Sequence, residues 1–249
     1  SFISDINNEY LNSWFAETSL KTLLCFQEMI SEYKYQDLLN IILSRSARSA
    51  RLTTHYDLDF PKKPQTEPYS CFKHSRTCTP TKTSYKFIDR YVKDSLKRIK
   101  EFSNLRTDST VDIIHNNSST ADFPIADMVF TSPPYVGLID YHEQHRYAYE
   151  LLSLDSREEQ EIGPASKGQS KIAKEQYIAN IKEVFLNISK TLEKDSIIGI
   201  VVNDRHGLYE NMCNEIGFNK NVILERKVNR RTGLRSTKFN EKILVYNSQ

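Results

Sequence analysis

From Thr110 to Gln249 the hydrophobic pattern switches back and forth between short apolar runs and longer amphipathic stretches. "TVDIIH" and "ADMVFT" predict two strands, the second short and buried. A helix is expected around Ile139 to Leu152, and a polar loop over 155–172, where Gly163-Pro164 and Gly168 break any period. "AKEQYIANIKEVFLNISKTL" predicts an amphipathic helix, "SIIGIVVND" a buried strand, and "GLYENMCNEIGF" a helix that stops at Gly217. "NVILERKVN" and "EKILVYN" predict a closing antiparallel pair around a basic loop. Strands and helices in this order predict an α/β sheet with helices on both faces.

Residues 1–104 have a different texture. From about Ile6 to Ala50, and again from Tyr85 to Leu105, the apolar period is helical, with Phe87, Tyr91, Leu96 and Ile99 as the expected apolar side of the second stretch. Between them, 53–82 carries Pro61, Pro64, Pro68 and Pro80 and reads as irregular. The expected division is a helical segment, 1–104, and an α/β region, 105–249. No run approaches the roughly 18 apolar residues of a membrane span. Net charge is only +2, so contact with a polyanion rests on local patches. The sparse, irregular cysteines Cys25, Cys71, Cys78 and Cys213 suit reduced thiols in a cytoplasm.

Ser132-Pro133-Pro134-Tyr135 stands at the carboxyl end of the second strand, where open α/β sheets place their ligands. Proline fixes φ and lacks an N–H but keeps its carbonyl, so a Pro-Pro turn is a rigid presenter of acceptors. The Ser132 hydroxyl adds another acceptor, and Tyr135 adds an aromatic face. A flat ring bearing an exocyclic amino group needs that combination.

"TSPPY" at Thr131–Tyr135 resembles motif IV of the S-adenosylmethionine-dependent amino-methyltransferases that modify exocyclic nitrogens in DNA. The Ser form preceded by Thr is the one usual in cytosine-N4 enzymes; Asp is usual in adenine-N6 enzymes. "DIIHNNSST", "SIIGIVVND" and "VNRRTGLRSTKFNEKILVY" occupy the places of neighbouring family elements, so the resemblance covers about 105–249. It implies a Rossmann-like methyltransferase sheet, with residues 1–104 as a target-recognition insertion. It implies base flipping, in which Ser132 and the Pro133 carbonyl hold the N4 amino group on a rigid Pro133-Pro134 turn and Tyr135 stacks on the extruded cytosine. It also implies double-stranded DNA as substrate, a restriction endonuclease as functional companion, and the cytoplasm of a bacterium or archaeon. An adenine-N6 enzyme, an RNA guanine-N2 enzyme and a non-catalytic DNA-recognition subunit are the alternatives.

The family's Gly-rich cofactor turn has no counterpart, because the seven glycines never cluster. The sheet is therefore expected to be incomplete, with that turn on a missing N-terminal segment or a second polypeptide. Asn117, Ser118 and Thr131 are the cofactor contacts that the resemblance offers here.

For DNA contact, Arg45, Arg48 and Arg51 recur three apart, and Arg230, Arg231, Arg235 and Lys238 surround the loop glycine Gly233. Cys71, His74 and Cys78 are soft ligands, but no fourth is evident and their spacing fits no finger, so packing rather than metal is expected. His142 and His145 are three apart, one short of the metalloprotease spacing; with Asp140 they are read as pocket rim or DNA contacts. Asp204 and Arg205 are expected to border the site.

Overall fold

The computed structural model describes residues 8–55, 57, 61–204, 207–228 and 239–249. The chain divides into two compact units, one formed by Ser1–Ser109 with His142–Glu158, the other by Thr110–Tyr141 with Glu159–Gln249. Among the described residues no helix is long and apolar enough to cross a membrane.

The first unit is helical: α1 (Glu9–Trp14), α2 (Glu17–Ile30), α3 (Gln36–Ala50) and α4 (Tyr85–Ser103), with the hairpin β1 (Tyr69–Cys71) and β2 (Arg76–Cys78) between α3 and α4. Asn8 caps α1 by accepting the Leu11 amide. Leu20 and Leu23 of α2 bury against Leu43, Ala47 and Ala50 of α3. Helix α5 (Tyr141–Leu151) sends Tyr147, Ala148 and Leu151 into this same core, and the Gln27 amide donates to the Leu151 carbonyl at 2.7 Å. That burial is why the helix after the proline turn joins the helical unit, although a boundary at 104/105 assigns it to the α/β region.

Helix α4 differs from its expected face. Leu96 and Ile99 are 61% and 47% exposed, while Ile88 and Ser95 are buried. Besides Ile88 in the core, its contact with α3 includes polar pairs: Asp94 receives Arg45 at 2.6 Å, and the Tyr91 and Ser49 hydroxyls meet at 2.7 Å.

The second unit holds a four-stranded sheet in the order β3 (Ala126–Thr131), β4 (Leu192–Val202), β6 (Phe239–Asn247), β5 (Asn219–Val228). β3 and β4 are parallel; β6 is antiparallel to both of its neighbours. The crossover from β3 to β4 ends in α6 (Lys171–Ser189), and α7 (Leu208–Ile216) links β4 to β5. Tyr177, Ile181 and Phe185 of α6 and Met212 and Cys213 of α7 bury against Ile198, Ile200, Leu244 and Tyr246 of the sheet. Gly217 ends α7 at φ 93°, a left-handed cap that glycine adopts without a Cβ penalty. The sheet is α/β as expected, but α6 and α7 both pack on the face of Ile198, Ile200, Leu244 and Tyr246, so the expected helices on both faces are not what these two form.

Two strand expectations need correction. "TVDIIH" forms no strand: 110–115 has no regular structure and is exposed, Val111 at 80% and Ile113 at 89%. Strands are made by pairing, and among the described residues no strand pairs with it. β3 does form but is not buried. Among the described residues it is an edge strand with β4 as its one neighbour, and Met128 and Phe130 are 57% and 69% exposed.

Candidate active site

The turn after β3 is fastened at successive residues. Thr131 pairs with Ile200 in the sheet. Ser132 donates its hydroxyl to the Val201 carbonyl of β4 at 3.2 Å. A hydroxyl has one hydrogen and two lone pairs, so this donation leaves it able to accept from a ligand. Pro133 is buried. The Pro134 carbonyl accepts the Tyr177 hydroxyl at 2.7 Å, and Tyr177 in turn meets the Tyr209 hydroxyl at 2.5 Å. Tyr135 donates to Glu241 of β6, whose other oxygen receives the Arg226 Nε of β5 at 2.6 Å.

The electrostatics follow from these contacts. Burial, reinforced by the Glu241 carboxylate, holds the Tyr135 phenol protonated well above the usual tyrosine range. Burial alone would raise Glu241, but the hydrogen bonds from Tyr135 and Arg226 outweigh it and hold the carboxyl below its ordinary value. Burial also raises Tyr177, to about 12. The turn is thus lined by groups that keep their protonation through neutral pH.

A second loop braces the first from below. Gly137 N–H donates to the Gly163 carbonyl at 2.9 Å, the Gln169 side chain donates to the Val136 carbonyl, and Asp140 accepts from both the amide and the hydroxyl of Ser166. At Gly137, φ is +61°, and a Cβ there would stand 2.5 Å from the Gly168 carbonyl oxygen. Only glycine permits that approach.

The other expected site residues are distributed differently. Thr131 is half-buried at the carboxyl edge of β3. Asn117 and Ser118 lie at the opposite edge. Asn117 closes a turn onto Ser119 and Ala121, and the Asn187 amide on the last turn of α6 donates to the Ser118 and Ala121 carbonyls at 3.2 and 2.8 Å. The amide of Ala126, where β3 starts, donates to the Thr191 carbonyl just beyond that helix. A six-residue strand, roughly 20 Å long, therefore separates Asn117 and Ser118 from Thr131, and the three do not converge on one pocket.

The arginine ridge also resolves. Three residues turn an α-helix by about 300°, so Arg51 points about 120° away from Arg45. Arg51 is 3% exposed, with its guanidinium 4.5 Å from the Tyr147 ring centroid and 5.8 Å from that of Trp14. It is a core residue held on aromatic faces, not a phosphate ligand. Arg45 is committed to Asp94 and the Tyr91 ring, and Arg48 is half-buried. Arg230, Arg231, Arg235 and Lys238, and also Arg205, lie outside the described residues. Asp204 caps α7, accepting the Leu208 and Tyr209 amides at 2.9 and 3.3 Å. The His142 ring accepts the Arg157 amide at 3.0 Å and lies against Tyr149.

Two groups in the site escape the sequence reading: Tyr177 and Glu241. Glu241 carried a signal, being a lone carboxylate at the head of an apolar strand, where a buried charge calls for a partner. Tyr177 sits at a helical core position and gives none.

No protein-family model matches the chain. It is 38% identical over 240 residues to the type II methyltransferase M.MjaII of Methanocaldococcus jannaschii, an overlap taking in 89% of this chain and 44% of that protein. A solved structure of a SAM-dependent methyltransferase from Methanosarcina mazei covers 61% of the chain and 76% of its own at 8% identity and a TM-score of 0.29, too loose a superposition to define a shared fold. The chain is thus a relative of a type II methyltransferase, matching less than half of that protein with nearly all of its own length.

Proposed function

We propose that this chain is the target-base half of a DNA amino-methyltransferase that methylates cytosine N4 with S-adenosylmethionine. The observation that carries the reading is the fastening of Ser132-Pro133-Pro134-Tyr135 at the carboxyl end of β3, together with the likeness to a type II methyltransferase. Methyl transfer to an aryl amine depends on positioning, and a turn tied to β4, α6 and β6 loses little on closing round a base. The cytosine leaves the stack. Its amino hydrogens face the Ser132 lone pairs and the Pro133 carbonyl, and the half-buried Tyr135 ring, anchored at its hydroxyl, supplies a stacking surface. Hydrogen bonds that strengthen as N4 becomes tetrahedral favour the transition state over the ground state. S-adenosylmethionine, when bound, supplies an electrophilic sulfonium methyl.

The residues present fit the base side of such a pocket better than the cofactor side. Of the three expected cofactor contacts only Thr131 stands beside the turn, and the glycines serve elsewhere: Gly137 in the loop brace, Gly199 under the Phe130 ring, Gly217 as a cap. We therefore place the glycine-rich cofactor turn on another stretch of polypeptide that pairs with the open edge of β3. Among the described residues β3 is paired on one side only, and Met128 and Phe130 stand exposed on a sheet face that α6 and α7 do not cover, which leaves both a hydrogen-bonding edge and an apolar face for such a partner. In this reading residues 1–104 contribute to target recognition, the basic residues near Gly233 grip the DNA backbone, and the enzyme works in the cytoplasm alongside a restriction endonuclease.

The test is methyl transfer by the assembled enzyme carrying Tyr135→Ala or Pro133→Ala. A fall of more than about 100-fold with circular dichroism unchanged is expected for loss of a positioning contact. Wild-type rates in both variants would end the reading.

A further inference from the structure

The connection from Arg51 to Ser84 joins two helices, and its described residues carry little regular structure. Its β1–β2 hairpin has three residues per strand, and an isolated two-stranded hairpin is marginal in water. The hairpin's buried residues are not large apolar groups but two free thiols, Cys71 at 1% and Cys78 at 6% exposure, while Phe72 at its tip is 60% exposed. Something other than a core closes this segment.

Four ligand atoms meet there. His55, Cys71, His74 and Cys78 place one nitrogen or sulfur each within 4.8 Å of all the others. The His74 Nδ1 is 3.5 Å from the Cys71 Sγ and 3.5 Å from the Cys78 Sγ, and the His55 Nδ1 is 3.8 Å from the Cys71 Sγ. A tetrahedron with zinc–sulfur bonds of about 2.3 Å and zinc–nitrogen bonds of about 2.05 Å has sulfur–nitrogen edges of about 3.6 Å. The observed edges bracket that value.

Hydrogen bonding alone accounts for this arrangement less well. One imidazole N–H shared between two sulfurs 3.5 Å away makes two bent, weakened bonds, whereas a single ion at the centre of the four atoms faces them all. His74 is exposed as a residue, yet its Nδ1 turns inward to both thiols. Local geometry supports the turn: His74 N–H closes onto the Cys71 carbonyl at 3.2 Å, and Ser75 follows at φ 50° to bring the chain back into β2.

We propose that His55, Cys71, His74 and Cys78 form a closed structural zinc site that staples the start of the α3–α4 connection to its hairpin. Two nitrogens and two sulfurs in a tetrahedron select zinc among the common divalent ions. Binding releases the two thiol protons, and the ion with two thiolates and two neutral imidazoles is uncharged overall, which suits a half-buried position. His55 is the ligand that spacing conceals, because sixteen positions separate it from Cys71.

Metal content of the full chain tests this. After equilibration with zinc and removal of excess, wild type is expected to hold about one zinc per chain. With cobalt in its place it should show the intense visible bands of a tetrahedral site and thiolate charge transfer in the near ultraviolet. Cys71→Ser and Cys78→Ser should lose the metal, and His55→Cys should keep it with added charge-transfer intensity. Wild type that binds neither metal, or serine variants that retain zinc undiminished, would overturn the assignment. The wild-type spectrum decides the matter even where a variant fails to fold, and no outcome depends on methyl transfer.

Discussion

Two irregular segments flank β3, and they are built on opposite terms. The segment after the strand, Ser132 to Asp140, is tied to β4, α6, β6 and the 161–169 loop by its hydroxyls, carbonyls and amides. The segment before it is pinned by Asn187 over Ser118–Ala121, and it turns Val111, Ile113 and Ile125 into solvent. One is complete within the chain. The other has the apolar residues of a strand, and among the described residues no strand pairs with it. In the proposed reading, a sheet finished at the carboxyl edge of β3 and open along its side is half of a pocket.

The contrast can be broken first at Gly137. Gly137→Ala forces a Cβ against the Gly168 backbone at positive φ, and a loss of about 2–4 kcal/mol of stability is expected in denaturant melts. Ile113→Ser, in the other segment, should change stability by less than about 0.5 kcal/mol. Equal losses at the two positions would erase the distinction. Next in size, Tyr177→Phe strips the Pro134 carbonyl of its donor, at about 1–2 kcal/mol.

Glu241 gives the pH arm. Its folded pKa is depressed, so its contribution is present above the unfolded carboxylate range and is lost as pH falls through the folded value. Wild type should therefore lose stability on acidification more steeply than Glu241→Gln over that acid window, and parallel acid profiles would contradict the Tyr135–Glu241–Arg226 linkage. The smallest effect on the chain itself belongs to Met128→Glu. That residue is 57% exposed, so the melting curve should hardly move, while assembly with the polypeptide bearing the glycine-rich turn should fail in co-purification.

How much of this was legible varies with the range of the interaction. Helix α6, strand β4 and the Gly217 stop follow from local pattern, and the structure places them where the pattern does. "TVDIIH" has a strand's composition but no pairing strand among the described residues, and pairing is not a property of a six-residue window. Arg51 reads as a surface cation because nothing nearby in sequence announces Tyr147 and Trp14 beneath it. The proline turn was visible as a rigid acceptor site, yet its anchors Tyr177 and Glu241 lie 43 and 106 positions along the chain from the residues they hold.

The most direct test of the central claim is nucleoside mass spectrometry on unmethylated DNA incubated with S-adenosylmethionine and this chain, alone and with the polypeptide that carries the glycine-rich turn. The account predicts N4-methylcytosine in the combined mixture and no methylated base from the chain alone. N6-methyladenine would contradict the base assignment, and methylation by the chain alone would contradict the half-pocket.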